Sequence, residues 1–128
     1  MTELNPRIPQ YLAVAALSAA SIGKPAEGMV LGEAAVLAAP DSHGAKIVRG
    51  ISLVRGGDFE RAASYLREAV LSDTPDDVTA MYYVGLAEHR LGNAPARDTM
   101  WDGVKAADDS DPKVQSLQGL IADHMEEA

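Results

Sequence analysis

The sequence has no cysteine and few aromatic residues, and both shortages limit the kind of protein it can encode. Without cysteine the chain can form no disulfide framework and offers no thiol for chemistry, which fits a reducing compartment, and we expect a cytoplasmic protein. Aromatic residues make up 5% of the chain although 47% of it is hydrophobic. At 128 residues, this composition suits one domain of Ala- and Leu-rich helices better than a sandwich or barrel.

Basic residues are scarce as well. The 11 Lys and Arg residues face 19 Asp and Glu residues, which gives a formal net charge of −8. A nucleic-acid-binding protein needs a basic face to contact phosphates, so this balance argues against DNA or RNA as a partner. No apolar run approaches the roughly 20 residues that span a bilayer, so we also expect no membrane insertion.

One apolar segment near the N-terminus, residues 11–22, has two interpretations. It could be the core of a secretory signal, because it is short, Ala-rich and close to the start of the chain. Against this, Glu3 precedes it, Arg7 is the single basic residue before it, and prolines stand at positions 6 and 9. The segment is also in phase with the repeat described next, which favours a first helix of the domain.

A repeat is the most informative feature that the sequence contains. Gly23, Gly57 and Gly92 each separate two apolar stretches, and they are spaced by 57 − 23 = 34 and 92 − 57 = 35 residues. A period of about 34 residues is typical of the tetratricopeptide repeat, a pair of antiparallel helices joined by a tight turn. Arrays of such repeats form surfaces that hold other proteins, so the period points to binding rather than to catalysis.

Three copies can be aligned with the tetratricopeptide consensus, and the middle copy resembles it most. The matching residues of the middle copy are Gly50, Leu53, Gly57, Ala62, Leu66 and Ala69. Those of the third copy are Gly85, Gly92 and Trp101, with Arg97 in place of the expected alanine. Those of the first copy are Ala16, Gly23, Ala35 and Pro40, with glycines at the packing positions 28 and 32.

The predicted fold class is therefore all-α, with three degenerate tetratricopeptide-like helix pairs and a C-terminal capping helix in an α-α superhelix. Residues 1–8 are expected to form a flexible arm, and residues 9–126 a single domain. The predicted repeats cover about 9–42, 43–77 and 78–111, and the capping helix covers 112–126. Asp58 is expected to cap the helix that follows it. In the capping helix, the residues expected to point inward are Val114, Leu117, Ile121 and Met125.

The sequence offers little material for catalysis. Its histidines, His43, His89 and His124, are far apart and lack the i, i+4 partner of a helical zinc site. The acidic run at 108–111 lacks the spacing of a calcium loop and is explained by helix capping. The glycine pair at 56–57 is explained as a helix-ending turn and not as a phosphate loop. We expect neither an enzyme, nor a metal site, nor a cofactor.

The inner surface of the predicted superhelix is the candidate site. In this repeat, certain positions of each first helix line the concave groove, and here nearly all of them are apolar. The predicted groove residues are Ala13, Leu17, Ala20, Ile47, Ile51, Val54, Tyr82, Leu86 and His89. Groove positions that grip a C-terminal carboxylate carry Lys, Asn and Arg, so this pattern argues against an adaptor for such tails.

Two interpretations of this apolar stripe stay open. It could be core, covered by another part of the same chain, because apolar residues at helical spacing are usually buried. It could instead be a groove for an amphipathic helix of another protein. A stripe of this size must be covered by something, because exposed apolar patches promote aggregation.

The chain also resembles a narrower family, the tetratricopeptide-type chaperones of the needle subunit in bacterial type III secretion. The resemblance extends over residues 10–125. The segments that carry it are Ala45–Ala63, Gly85, Leu91-Gly92 and Ser110-Asp111-Pro112 with the helix that follows to Met125.

This resemblance implies a cytoplasmic, non-catalytic chaperone in a heteromeric complex. Its groove would hold the amphipathic C-terminal helix of a needle-like subunit and keep that subunit monomeric, with a small helical co-chaperone bound outside. The contact residues carried over are Ile47, Ile51, Val54, Tyr82 and Leu86. The alternatives are a general tetratricopeptide scaffold or regulatory module whose groove is filled by its own chain, and a translocator-type secretion chaperone.

Overall fold

The structure is a computed structural model and describes residues 24–127. Within this range the chain forms α-helices and no strand, so the predicted all-α superhelix is confirmed. The helices are α1 (Pro25–Ala38), α2 (His43–Arg55), α3 (Phe59–Leu66), α4 (Val78–Arg90), α5 (Ala94–Lys105) and α6 (Pro112–Glu126). A π-helical segment, Arg67–Leu71, extends α3. The predicted arm at 1–8, the helix predicted to begin at Pro9 and the turn at Gly23 lie outside the described residues.

Neighbouring helices contact each other in sequence order, with α1 against α2, α2 against α3, α4 against α5, and α6 against α4 and α5. The two first helices of successive pairs, α2 and α4, also contact each other. Contacts between successive helices and between the first helices of successive pairs are those of a superhelix of helix pairs. None of the described helices has both the length and the apolar character needed to cross a bilayer.

Side-chain caps and prolines fix where three of these helices begin. The Ser42 hydroxyl accepts a hydrogen bond from the Ala45 amide (3.2 Å), and the Asp77 carboxylate accepts one from the Ala80 amide (2.9 Å). The Asp111 carboxylate accepts from the Lys113 amide (2.9 Å), and a proline follows it in the first turn. Each cap satisfies one of the amides that the first turn of a helix leaves unpaired.

Asp58 differs from the prediction that its side chain caps α3. It occupies the N-cap position, but its carboxylate makes no capping hydrogen bond. One carboxylate oxygen lies 3.7 Å from the Arg61 guanidinium instead. The backbone of Asp58 still takes part in the turn, because its amide donates to the Leu53 carbonyl and its carbonyl accepts from the Ala62 amide.

The turns at Gly57 and Gly92 are built in the same way. Their φ angles are +81° and +75°, a left-handed conformation in which a side chain is strained. The residue after each glycine donates its amide to a carbonyl five residues back, Asp58 to Leu53 and Asn93 to Glu88. This is the hydrogen bond of a Schellman-type helix end. The predicted turns at 57 and 92 are therefore confirmed.

The two helices of each described pair cross at a glycine. A Cβ placed on Gly50 would lie 2.2 Å from the Leu66 side chain, and one placed on Gly85 would lie 2.1 Å from the Trp101 indole. The two crossings are equivalent, because the glycines are 85 − 50 = 35 residues apart and the large residues are 101 − 66 = 35 residues apart. The large residue of the second helix thus fills the space that the missing glycine side chain leaves on the first.

Two clusters of buried residues form the core. The first core cluster joins the middle pair to α4 and consists of Leu53, Val54, Ala62, Ala63, Leu66, Val70, Ala80, Val84 and Ala87. The second core cluster joins α4 and α5 to α6 and consists of Tyr82, Trp101, Val104, Leu117 and Ile121.

The prediction for the inward face of α6 holds for three of its four residues. Val114, Leu117 and Ile121 are buried, whereas Met125 is 48% exposed and the prediction for it is wrong. The buried positions continue to His124, whose ring contacts Tyr82. Met125 stands four residues after Ile121 and so points to nearly the same side, but it lies in the last turn of α6, next to the helix end at Glu126, and stays exposed.

The crossing at Gly85 yields a stability prediction. Gly85→Ala is expected to lower the free energy of unfolding by about 1–3 kcal/mol, because the added methyl would overlap the rigid indole of buried Trp101. Gly119→Ala on α6 is the matched control. Nothing lies within 4 Å of a Cβ at that position, and alanine favours a helix by up to about 1 kcal/mol over glycine. Urea unfolding measures the free energy of unfolding of both variants, and equal values would contradict the prediction.

Candidate protein-binding groove

The described part of the predicted groove lies on α2 and α4. Ile47 and Leu86 are half-buried and pack against the first core cluster, and Leu86 packs against the second cluster as well. Each therefore keeps part of its apolar surface accessible while its position is fixed by packing. Such side chains are suited to contact an apolar partner without a large loss of conformational entropy.

Three other predicted groove residues are covered. Ile51 is 8% exposed, Val54 is 6% exposed and belongs to the first core cluster, and Tyr82 is 3% exposed. At these positions the structure favours the interpretation in which the stripe is core. The predicted groove residues of the first copy, Ala13, Leu17 and Ala20, lie outside the described residues.

Tyr82 is covered by the C-terminal helix. Its hydroxyl is 3.0 Å from Nε2 of His124 on α6, and its ring stacks near Trp101 with 6.3 Å between ring centroids. Burial, with a smaller contribution from the neighbouring Tyr83, raises the pKa of Tyr82 to about 12. The phenol therefore stays protonated and holds α4 and α6 together through a hydrogen bond.

His89 lies beside this contact. Its Nδ1 is 3.1 Å from a guanidinium nitrogen of Arg97, and since a guanidinium only donates, Nδ1 accepts. Burial lowers the pKa of His89, and the positive charge of Arg97 and the nearby His124 lower it further. A lowered pKa leaves the imidazole neutral at pH 7. His89 thus has an uncharged ring, which packs against Trp101 with 5.5 Å between ring centroids.

The substitution of arginine for the expected alanine at position 97 has a structural explanation. Its guanidinium contacts His89, lies 5.9 Å from the centroid of the Trp101 ring and pairs with the Asp98 carboxylate at 2.9 Å. The arginine side chain thus occupies space between α4 and α5. With an alanine at position 97, the two helices themselves would have to fill this space. The contact of Arg97 with His89 joins α5 to α4 beside Trp101.

A second, polar hollow lies on another side of the domain and was not predicted from the sequence. It has a volume of about 720 Å³ and lies between the α2–α3 turn, α3 and the α4–α5 turn. The buried Glu88 carboxylate at its wall accepts a hydrogen bond from the Asn93 amide group (2.7 Å) and lies 3.7 Å from Arg67. Glu88 stands one repeat after Leu53 (88 − 53 = 35), at a position where the pattern predicts an apolar residue. The hydrogen bond from Asn93 stabilises the Gly92 turn, so Glu88 has a structural role.

Metal binding finds no support in the described range. Between residues 24 and 127, no three His, Asp or Glu side chains form a group that could hold a metal ion. His43 instead lies 2.6 Å from the Asp77 carboxylate, which joins the starts of α2 and α4. These two residues stand one repeat apart (77 − 43 = 34) and link the helix pairs.

Comparison with known proteins agrees with this helical geometry. The family model described as tetratricopeptide repeat matches residues 47–96. Residues 47–96 thus form a tetratricopeptide-like repeat. The match begins in α2 at Ile47, covers the middle helix pair and α4, and ends in α5. Neither the curated proteins nor the solved structures include one that matches the chain.

The repeat sets the class of function. Tetratricopeptide repeats are typically non-catalytic modules that bind peptides or proteins.

Proposed function

We propose that this protein is a non-catalytic chaperone whose concave apolar groove holds an amphipathic helix of a client protein. The observation that carries the proposal is the combination of a matched tetratricopeptide repeat with half-buried apolar side chains at its inner positions, Ile47 and Leu86. An amphipathic helix places apolar residues at i, i+3, i+4 and i+7, and these can pack along such a row. Burial of the row would remove apolar surface from water on both partners.

We further propose that the client is a needle-like subunit of a type III secretion system, kept monomeric in the cytoplasm. What supports this step is the resemblance of the segment Ala45–Ala63 and of the Ser110-Asp111-Pro112 start of α6 to the needle-subunit chaperones. A small helical co-chaperone bound to the same protein belongs to this proposal. The match to the repeat family supports protein binding and does not reach the identity of the client.

A second candidate is a tetratricopeptide scaffold or regulatory module whose groove is filled by its own chain. The burial of Ile51, Val54 and Tyr82 favours it, and α6 covers Tyr82 directly. The two candidates differ in whether the half-buried residues that remain, above all Leu86, contact another protein.

Leu86→Ala separates the two candidates. The probe is the C-terminal helix of a type III secretion needle subunit, prepared as a fluorescent peptide. If Leu86 contacts the client near the centre of the interface, its truncation is expected to weaken binding about 30-fold, as for an anchor residue worth about 2 kcal/mol. Fluorescence anisotropy measures the affinity, and circular dichroism at the same temperature shows that the variant is folded.

Leu91→Ala is the control, because Leu91 is an exposed leucine near the end of the same helix but lines the polar hollow beside the α4–α5 turn. It should leave the affinity unchanged. Equal affinities of the parent protein and the Leu86 variant would overturn the groove and favour the self-filled module. Absence of binding by the needle-like peptide, together with binding of other amphipathic peptides, would overturn the client assignment alone.

A further inference from the structure

Two histidines that are distant in the sequence meet where the end of α6 packs on α4 and α5. The ring centroids of His89 on α4 and His124 on α6 are 6.0 Å apart, and Trp101 of α5 lies 5.5 Å from the first and 5.9 Å from the second. The Tyr82 hydroxyl lies 3.0 Å from Nε2 of His124. These four side chains form a ring cluster, and two of its members can take up a proton near neutral pH.

The contact between His89 and Arg97 requires a neutral imidazole. Nδ1 of His89 lies 3.1 Å from a guanidinium nitrogen, and a guanidinium has donors but no acceptor. Nδ1 must therefore offer a lone pair, which a protonated imidazole does not have. Protonation would turn this hydrogen bond into two donors facing each other and would place two positive charges in contact. Asp98 pairs with the same guanidinium at 2.9 Å, but it is an exposed acid and offsets the charge only in part.

The other groups that face His89 give an added positive charge little compensation. Burial contributes most to the lowered pKa of His89, and the charges of Arg97 on α5, His124 on α6 and Arg90 on α4 lower it further. The acid that acts in the opposite direction is Glu127, which follows α6 and has the smallest influence of these groups. Its side chain is 54% exposed, so water screens its charge.

His124 has little to balance a proton either. Its Nδ1 is buried and has no hydrogen-bond partner within the described residues. The Glu127 carboxylate lies 3.6 Å from this nitrogen, which is too far for a hydrogen bond. Burial raises the pKa of Tyr82 to about 12, so its phenol stays neutral and supplies no negative charge. A proton on either imidazole therefore places a poorly compensated charge between α4, α5 and α6.

The N-terminal part of α6 is held by groups that do not titrate. Val114 and Leu117 are buried. The side-chain amide of Gln118 donates to the backbone carbonyls of Val104 and Lys105, at 3.2 and 3.3 Å. A charge in the ring cluster therefore acts on the last turns of α6 and leaves its first turns attached.

We propose that the ring cluster is an acid-sensitive latch, in which protonation of His89 releases the last turns of α6 from α4 and α5. Release would expose Tyr82 and Trp101, which are 3% and 1% exposed in the closed structure. Both belong to the second core cluster, against which Leu86 packs, so release would enlarge the apolar surface beside Leu86. The latch would operate in either of the two candidate functions.

The sign of the pH dependence follows from the lowered pKa of His89. The docked state binds the proton less tightly than the released state, in which the imidazole has its ordinary pKa of about 6.5. The contribution of the latch to stability is therefore complete above about pH 6.5, declines as the pH falls and is lost below the lowered pKa. For one proton, the ratio of released to docked α6 rises by at most about 10-fold per pH unit in this range.

Trp101 is the single tryptophan of the chain, so its signals report on the ring cluster. Its indole N–H, which donates to the Tyr82 carbonyl at 3.0 Å, exchanges with solvent only after release. Between about pH 7.5 and about pH 5.5, we expect the protection factor of this N–H in the full chain to fall about 3-fold to 10-fold. Protection factors remove the intrinsic pH dependence of exchange. Acrylamide quenching should rise and the emission maximum should move to longer wavelength, because the indole meets water.

Three variants test the residues of the latch. His89→Gln should abolish the acid response, because the glutamine oxygen can accept from Arg97 and does not titrate. Arg97→Gln should weaken it, because a glutamine amide can donate to neutral His89 or accept from its protonated form. His43→Gln is the matched control and should keep the full response, since His43 pairs with Asp77 at the starts of α2 and α4, outside the ring cluster. Circular dichroism at neutral pH shows whether each variant is folded.

Three results would overturn the latch. The first is equal protection of the indole N–H at both pH values in the parent protein. The second is a response of parental size in His89→Gln or, if that variant does not fold, in Arg97→Gln. The third is an equal loss of protection at the backbone amides of α2, which would indicate acid unfolding of the whole domain. No client peptide takes part in these measurements, so their failure leaves the proposed function untouched.

Discussion

Replacing Trp101 with alanine is expected to lower the free energy of unfolding by about 3–5 kcal/mol, the cost of deleting a buried aromatic side chain. Trp101 is almost completely buried and lies at the centre of the second core cluster. Its indole nitrogen donates a hydrogen bond to the Tyr82 carbonyl (3.0 Å), and its ring lies on Gly85. The substitution would leave a cavity at this crossing and remove the hydrogen bond from the indole to the Tyr82 carbonyl. Urea unfolding followed by circular dichroism measures the change.

Two further variants make this result specific. Trp101→Phe keeps an aromatic ring over Gly85 and loses the hydrogen bond, so it should cost less than the alanine variant. Asp102→Ala changes the exposed neighbour on α5 and should stay within about 0.5 kcal/mol of the parent protein. A loss below about 1 kcal/mol for Trp101→Ala would mean that α4 and α5 do not cross at this point.

The phase of the repeat could be predicted from the sequence because glycine marks it twice in each pair. Gly57 and Gly92 are required by left-handed backbone at the turns, and Gly50 and Gly85 by the close approach of Leu66 and Trp101. Both requirements are local, either to one residue or to one pair of helices. A spacing of 34–35 residues in the amino-acid sequence is therefore enough to place the crossings.

Burial at the inner positions depends on packing between helices that are distant in the sequence. The sequence therefore could not show which of these residues are covered. Leu86 and Tyr82 both stand at groove positions of α4, yet Leu86 is half-buried and Tyr82 is covered by α6. The difference arises from where α6 docks, since His124 reaches Tyr82. An apolar residue at helical spacing has the same pattern whether its partner is a later helix or another protein.

The packing of the glycines of α1 could not be predicted from the sequence either. Gly28 and Gly32 stand at packing positions of the first copy, where larger residues are expected. In the structure Gly32 of α1 is buried against α2. A Cβ at this position would lie 3.2 Å from the Ser52 hydroxyl and 3.4 Å from the Arg49 Cα atom. The missing side chain of Gly32 lets α1 approach the backbone of α2 closely, which only the position of the neighbouring helix reveals.

Ile51→Asp is expected to lower the free energy of unfolding of the free protein by about 3 kcal/mol or more. Ile51 is 8% exposed, so a carboxylate at this position would be placed in an apolar surrounding without a partner. Thermal and urea unfolding of the free variant measure the effect. Ile51→Val is the control, because it shortens the side chain without adding charge and should cost about 0.5–1.5 kcal/mol.

The same variant decides how far the groove extends along the superhelix, because the two interpretations of Ile51 lead to opposite results. If Ile51 faces an open groove, the aspartate variant keeps its melting temperature and loses the client peptide, since the charge is buried only in the complex. If the chain itself covers Ile51, the free variant unfolds more easily, and the binding surface is restricted to half-buried residues such as Leu86.

Leu86→Asp completes the comparison. Its side chain is only half-buried, so it should destabilise the free protein less than Ile51→Asp while weakening binding more than Leu86→Ala. Equal destabilisation by both aspartate variants would mean that Leu86 is as much a part of the core as Ile51, and that α4 offers no surface to a partner.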